Sequence, residues 1–207
     1  MSERDLFVRQ AIENGLFSFA EVTASKHQDR VVYYADIRAI YTYPSLLETA
    51  VDWCSAVLQE KSYDFLCGIE TASLPLVGAV AFQLRQPALY LRTKAKGYGL
   101  DKWIEGHFQP GDTVYLLDDL TVQAYESMEF IRQAEKEGVR VKGLIVLYEK
   151  VHHALGRDIF LQNGYEYQSM FSYLDVVNVL RKHHSALGIA PEMAAIVQQF
   201  GEDVSDK

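Results

Sequence analysis

Apolar residues recur at Leu46, Leu47, Ala50, Val51, Cys54, Val57 and Leu58 behind Pro44 and Ser45, the spacing of one face of an amphipathic helix entered through a proline. Upstream, Leu6, Ala11 and Ile12 within Glu3 to Asn14 predict a shorter helix that stops at Gly15. Val31 to Ile37, dense in β-branched and tyrosine residues, reads as a strand. From residue 63 the pattern alternates. Strands are predicted at Phe65 to Gly68, Ala88 to Arg92, Thr113 to Leu117 and Val141 to Leu147, with helices at Leu74 to Leu84 and Tyr125 to Glu137 between them. A strand at Glu166 to Phe171, a helix at Tyr173 to His183 and a helix after Pro191 complete the series, and the polar stretch Gly201 to Lys207 is expected to fray.

Repeated strand–helix order implies an α/β fold, a mainly parallel sheet with helices on both faces, in which ligands gather at the carboxyl ends of the strands. No glycine- or proline-rich linker interrupts residues 63 to 180, so one core domain with an N-terminal appendage is expected. Thr93 to Asp112 carries no assigned element, and a loop of that length is either a functional lid or a misread segment.

Composition narrows the functional classes. With 49% hydrophobic residues in 207, the chain can bury a core, and its net charge of −8 disfavours nucleic acid as a partner. No stretch is apolar for long enough to span a membrane, and Met1 to Asp5 lacks the basic-then-apolar order of a signal peptide, so a cytoplasmic location is expected. Cys54 and Cys67 lie in apolar runs and read as reduced core thiols. The pairs His152-His153 and His183-His184 lack partners at ligand spacing, so no transition-metal site is expected.

Three segments carry candidate chemistry. The apolar run Val114 to Leu117 leads into Asp118-Asp119 and then Leu120-Thr121-Val122-Gln123 before a helix. Carboxylates at the active edge of a parallel sheet can accept from ribose hydroxyls or hold a divalent ion, and the helix that follows offers amide donors to a phosphate; equally, the acids can cap that helix or face water. Arg92-Thr93-Lys94-Ala95-Lys96-Gly97-Tyr98-Gly99 lies in a window, 85 to 102, with five basic residues against one acid. Such a loop can close over an anion, or simply be a solvated basic loop. Gly68-Ile69-Glu70-Thr71-Ala72-Ser73 links a strand to a helix and can present backbone amides, although a plain connection is the simpler reading.

Taken together with Ile104-Glu105-Gly106 and Tyr33-Tyr34-Ala35-Asp36-Ile37-Arg38, these segments resemble orotate phosphoribosyltransferase in order and spacing from about Ser25 to Phe171. The resemblance implies a type I phosphoribosyltransferase fold: an N-terminal hood (residues 1–44), a core (45–180) and a C-terminal helix and tail (181–207). It implies a glycosyltransferase of pyrimidine biosynthesis that uses magnesium with phosphoribosyl pyrophosphate to turn orotate into orotidine monophosphate and pyrophosphate. By position, Asp118 and Asp119 match the acids at the ribose hydroxyls, with Lys96 as the catalytic cation of the mobile loop. Arg92 and Lys94 join it at the pyrophosphate, Lys150 helps hold the base, and Thr121, Val122, Gln123, Ala124 and Tyr125 form the 5′-phosphate turn. The resemblance also implies a homodimer whose basic loop serves the neighbouring subunit.

The chain departs from the family in the phosphate turn, which has no glycine. Gln123, Ala124 and Tyr125 are expected to crowd it and Glu126 to bring like charge toward a phosphate. Thr93 and Tyr98 replace the usual lysine and histidine of the loop, Ala72-Ser73 a usual glycine pair, and Lys26 a common glycine. A second reading follows from these losses: a catalytically inactive paralogue that binds a nucleotide or a protein partner as a regulator.

Overall fold

The computed structural model describes residues 2–19, 22–23, 30–31, 34–94, 102–122, 124–150 and 154–202. Ser2 opens α1 (Glu3–Glu13) by accepting the N–H of Asp5 on its hydroxyl at 3.0 Å, and Phe7, Val8, Ala11 and Ile12 bury one face. Two short antiparallel ribbons follow, β1 (Phe17–Ser18) with β4 (Tyr34–Ala35) and β2 (Val22–Thr23) with β3 (Arg30–Val31). The expected strand over Val31 to Ile37 is therefore corrected. Its described residues belong to two different ribbons, as β3 and β4, and Ile37–Thr42 is a 3₁₀ helix whose three-residue turn buries Ile37 and Ile40 on one side.

The helix expected behind Pro44 is α2 (Pro44–Gln59). Then come β5 (Phe65–Ile69), α3 (Leu74–Leu84), β6 (Ala88–Leu91), β7 (Ile104–Glu105), β8 (Thr113–Thr121), α4 (Ala124–Lys136), β9 (Arg140–Glu149), α5 (Ala154–Gln162), β10 (Glu166–Ser172), α6 (Tyr173–His183) and α7 (Pro191–Glu202). The main sheet runs β10-β9-β8-β5-β6-β7, parallel throughout except for β7, which is antiparallel to β6. One apolar core lies under α1, α2, α3 and α6 and a second under α4 and α5, so helices cover both faces.

Three elements differ from expectation. β8 does not stop at Leu117: its ladder continues through Asp118 opposite Val146 to Thr121 opposite Glu149. The helix α5 was not expected, and β7 lies inside the unassigned stretch Thr93 to Asp112. The close approach of β9 and β10 depends on Gly143, where an added Cβ would fall against the backbone of Glu166 and 2.9 Å from its Cβ. The capping box at Ser172 and Asp175 starts α6, and Lys182 reaches Asp5 of α1 at 3.4 Å, so the first and sixth helices pack together. Cys54 and Cys67 are free and buried, as expected, with burial pushing the Cys67 thiol up to about 12.

Candidate functional site

Because β8, β5 and β6 are neighbours and parallel, three loops meet at one edge of the sheet. β5 ends at Ile69 and turns through Glu70 to Ser73. The buried hydroxyl of Ser73 pins this turn: it accepts the N–H of Ile69 at 2.8 Å and donates to the carbonyl of Ile69 at 2.7 Å. From the N-terminal segment, Tyr41 donates its hydroxyl to the carbonyl of Ala72 at 2.6 Å. Arg92 follows β6 directly and donates its backbone N–H to Trp103 at 2.8 Å.

The acid pair sits at the end of β8. Asp119 is only 8% exposed, and its N–H donates to Oδ1 of Asp118 at 3.0 Å. Burial, and then the neighbouring charge of Asp119, hold the Asp118 carboxyl well above the ordinary carboxylate range. Burial also raises Asp119, while the Arg38 guanidinium acts in the opposite sense. Two interacting carboxyl groups in a poorly solvated place favour a cation or hydroxyl donors that offset their charge.

The other expected site residues divide. Lys94 is exposed and its carbonyl accepts from Nε of Arg92 at 3.3 Å, whereas Lys96 and Gln123 lie outside the described residues, as do His152 and His153. Arg92 itself is held between two carboxylates, with Nη2 3.9 Å from Glu70 and Nη1 3.4 Å from Glu105. Lys150 is partly buried, which lowers its pKa, and its backbone N–H joins the carbonyl of Thr121 at 2.8 Å. The Thr121 hydroxyl is buried 3.0 Å from that of Ser127, so it braces the start of α4.

Of the residues expected to crowd the phosphate turn, Ala124 and Tyr125 lie on different sides of α4. Ala124, Met128 and Ile131 form the inward stripe of α4, leaving Ala124 5% exposed, while Tyr125 points outward at 61% exposure. Val122 and Glu126 are also exposed.

Sequence reasoning assigned no role to Arg38, Tyr41, Glu70 or Glu105. Asp36-Ile37-Arg38 and Glu70 were visible as motif members, but their approach to the acid pair and to Arg92 depends on strand order. Among the described residues, no group of three or more His, Cys, Asp and Glu side chains is placed to hold a metal. Two carboxylates do fit a magnesium ion shared with ligand oxygens, the usual way that ion is bound. A separate cleft of about 620 Å³ between α1 and α2 shares no residue with this edge. No helix among the described residues is long and apolar enough to cross a membrane.

No family model matches the chain. It is 27% identical over 174 residues to the orotate phosphoribosyltransferase of Dinoroseobacter shibae, covering 82% of this chain and 76% of that protein. Over 151 residues it is 29% identical to uridine 5′-monophosphate synthase of Bos taurus, covering 72% of this chain and 31% of the bovine protein. Its fold is similar to that of UMP synthase from Leishmania donovani, with a TM-score of 0.81 and 22% identity over 98% of this chain and 43% of the other. The chain thus spans less than half the length of the two synthases.

Proposed function

We propose that this chain, a relative of the orotate phosphoribosyltransferases with the type I phosphoribosyltransferase fold, binds 5-phosphoribosyl 1-diphosphate with magnesium and transfers its phosphoribosyl group to orotate or a closely related pyrimidine, in pyrimidine biosynthesis. The observation that carries the reading is the convergence on adjacent strands β8, β5 and β6 of the acid pair, the Glu70–Ser73 turn and Arg92. Asp118 and Asp119 accept from the ribose hydroxyls, and their charges favour the positive character that develops on the ribose as the pyrophosphate leaves. Arg92, with Lys94 and Lys96, takes up charge on that pyrophosphate. Lys150, at the end of β9, faces the base as a point charge, and the 5′-phosphate lies toward residues 121–125, where the first turn of α4 offers amides.

Magnesium, when bound, neutralises pyrophosphate charge, and Asp118 and Asp119 are the side chains that would hold it. A homodimer in which the basic segment serves the partner's site, and a cytoplasmic location, complete the proposal. Calorimetry with magnesium and 5-phosphoribosyl 1-diphosphate, followed by orotate consumption, tests it. Replacing both acids by Asn should weaken binding roughly ten- to a hundredfold. An unchanged dissociation constant in a folded double variant overturns the assignment.

A further inference from the structure

Glu70 is the first residue past β5 and Arg92 the first past β6, and the ladder that pairs Ile69 with Leu91 brings the two to one level. Glu70 Oε1 lies 3.9 Å from Nη2 of Arg92, while its Oε2 accepts the N–H of Thr93 at 3.1 Å. On the other side, Glu105 of β7 sits 3.4 Å from Nη1. The side chains of all three are about a quarter exposed, so the cluster is open to a ligand yet shielded enough for its charges to matter. A single carboxylate spans a guanidinium and the next backbone N–H, which is the donor set a phosphate oxyanion recruits.

We propose that Glu70 is an internal anion that occupies Arg92 and the Thr93 amide in the free protein and competes there with the pyrophosphate group of an incoming ligand, which makes it a specificity-determining residue. The inference rests on reading this edge as a pyrophosphate site. A diphosphate ligand must displace Glu70 from Arg92 and then tolerate both Glu70 and Glu105 beside it. Ligands that bind only through ribose and a 5′-phosphate meet no such competitor. The site therefore discriminates against free pyrophosphate relative to sugar phosphates, and does so through charge rather than shape.

The test is calorimetry of pyrophosphate with magnesium, and separately of ribose 5-phosphate, on the parent, Glu70→Gln and Glu70→Asp. Gln retains an acceptor for Thr93 and removes the charge, so pyrophosphate affinity should rise about tenfold. Ribose 5-phosphate affinity should stay unchanged, and Glu70→Asp should remain near the parent. If the parent binds pyrophosphate and Glu70→Gln binds it no tighter, or if both ligands shift by the same factor, the proposal falls while the site assignment stands. If none of the three binds pyrophosphate the proposal also falls, and the proposed function falls with it only where 5-phosphoribosyl 1-diphosphate fails to bind as well.

Discussion

Changing Asp118 to Asn keeps the outline of the side chain and removes one of two negative charges packed into the end of β8. In the parent, Asp118 accepts the Asp119 N–H at 3.0 Å, and Asn can still accept it while its amide donates toward the Asp119 carboxylate. Among the described residues neither acid forms an ion pair; Arg38, the nearby cation, is largely exposed and pairs with Asp36 at 3.6 Å. Relieving a poorly compensated, partly buried charge should stabilise the ligand-free protein by about 1–3 kcal/mol at neutral pH. For a domain of this size each kcal/mol moves Tm by about 2–4 °C.

The pH dependence follows from the direction of the shift. Native Asp118 is raised, so the folded protein keeps a proton that the unfolded chain releases. Stability of the parent then falls as pH rises from the ordinary carboxylate value of ~3.9 toward the raised native value, by at most about 1.4 kcal/mol per pH unit. Asp5 and Glu166, lowered in the native state, act in the opposite sense in both proteins and cancel in the difference. Thermal unfolding of parent and variant from pH 4 to 8 should show a stability gap that widens with pH and then levels, alongside weaker ribosyl ligand binding. A variant less stable than the parent at pH 8, or a gap independent of pH, refutes the argument.

Two further outcomes test the frame around the site. Gly143→Ala should cost at least about 2 kcal/mol in denaturant titration, because the new Cβ meets the Glu166 backbone and β9 and β10 must separate. Tyr41→Phe removes the 2.6 Å bond to the Ala72 carbonyl, so it should cost about 1 kcal/mol and speed amide exchange in the Glu70–Ser73 turn; unchanged exchange would show that the hydroxyl does not brace it.

The amphipathic stripe of α2 and the β-rich runs of β5 and β9 were legible because each buries a face whose period survives in one dimension. The 3₁₀ helix at Ile37–Thr42 was not, since its tyrosines and isoleucines satisfy a strand pattern equally well. α5 escaped because a short helix carries too few turns to display a stripe. At the site, Asp118 and Asp119 stood out as acids following an apolar run. The clasp on Arg92 did not, because it joins residues 22 and 13 positions away that become neighbours only through the order β5-β6-β7. For Ala124 and Tyr125 the side-chain size was readable, but the direction in which α4 turns each of them was not.

The docking of α1 on α6 also sets a timetable for synthesis. Asp5 and its partner Lys182 are 177 residues apart. At ~5–20 residues per second, a ribosome needs roughly 9–35 s to supply the second after the first. Throughout that interval Phe7, Val8, Ala11 and Ile12 have no α6 to cover them, so the growing chain carries an incompletely covered apolar helix face that invites chaperones or wrong partners until α6 emerges.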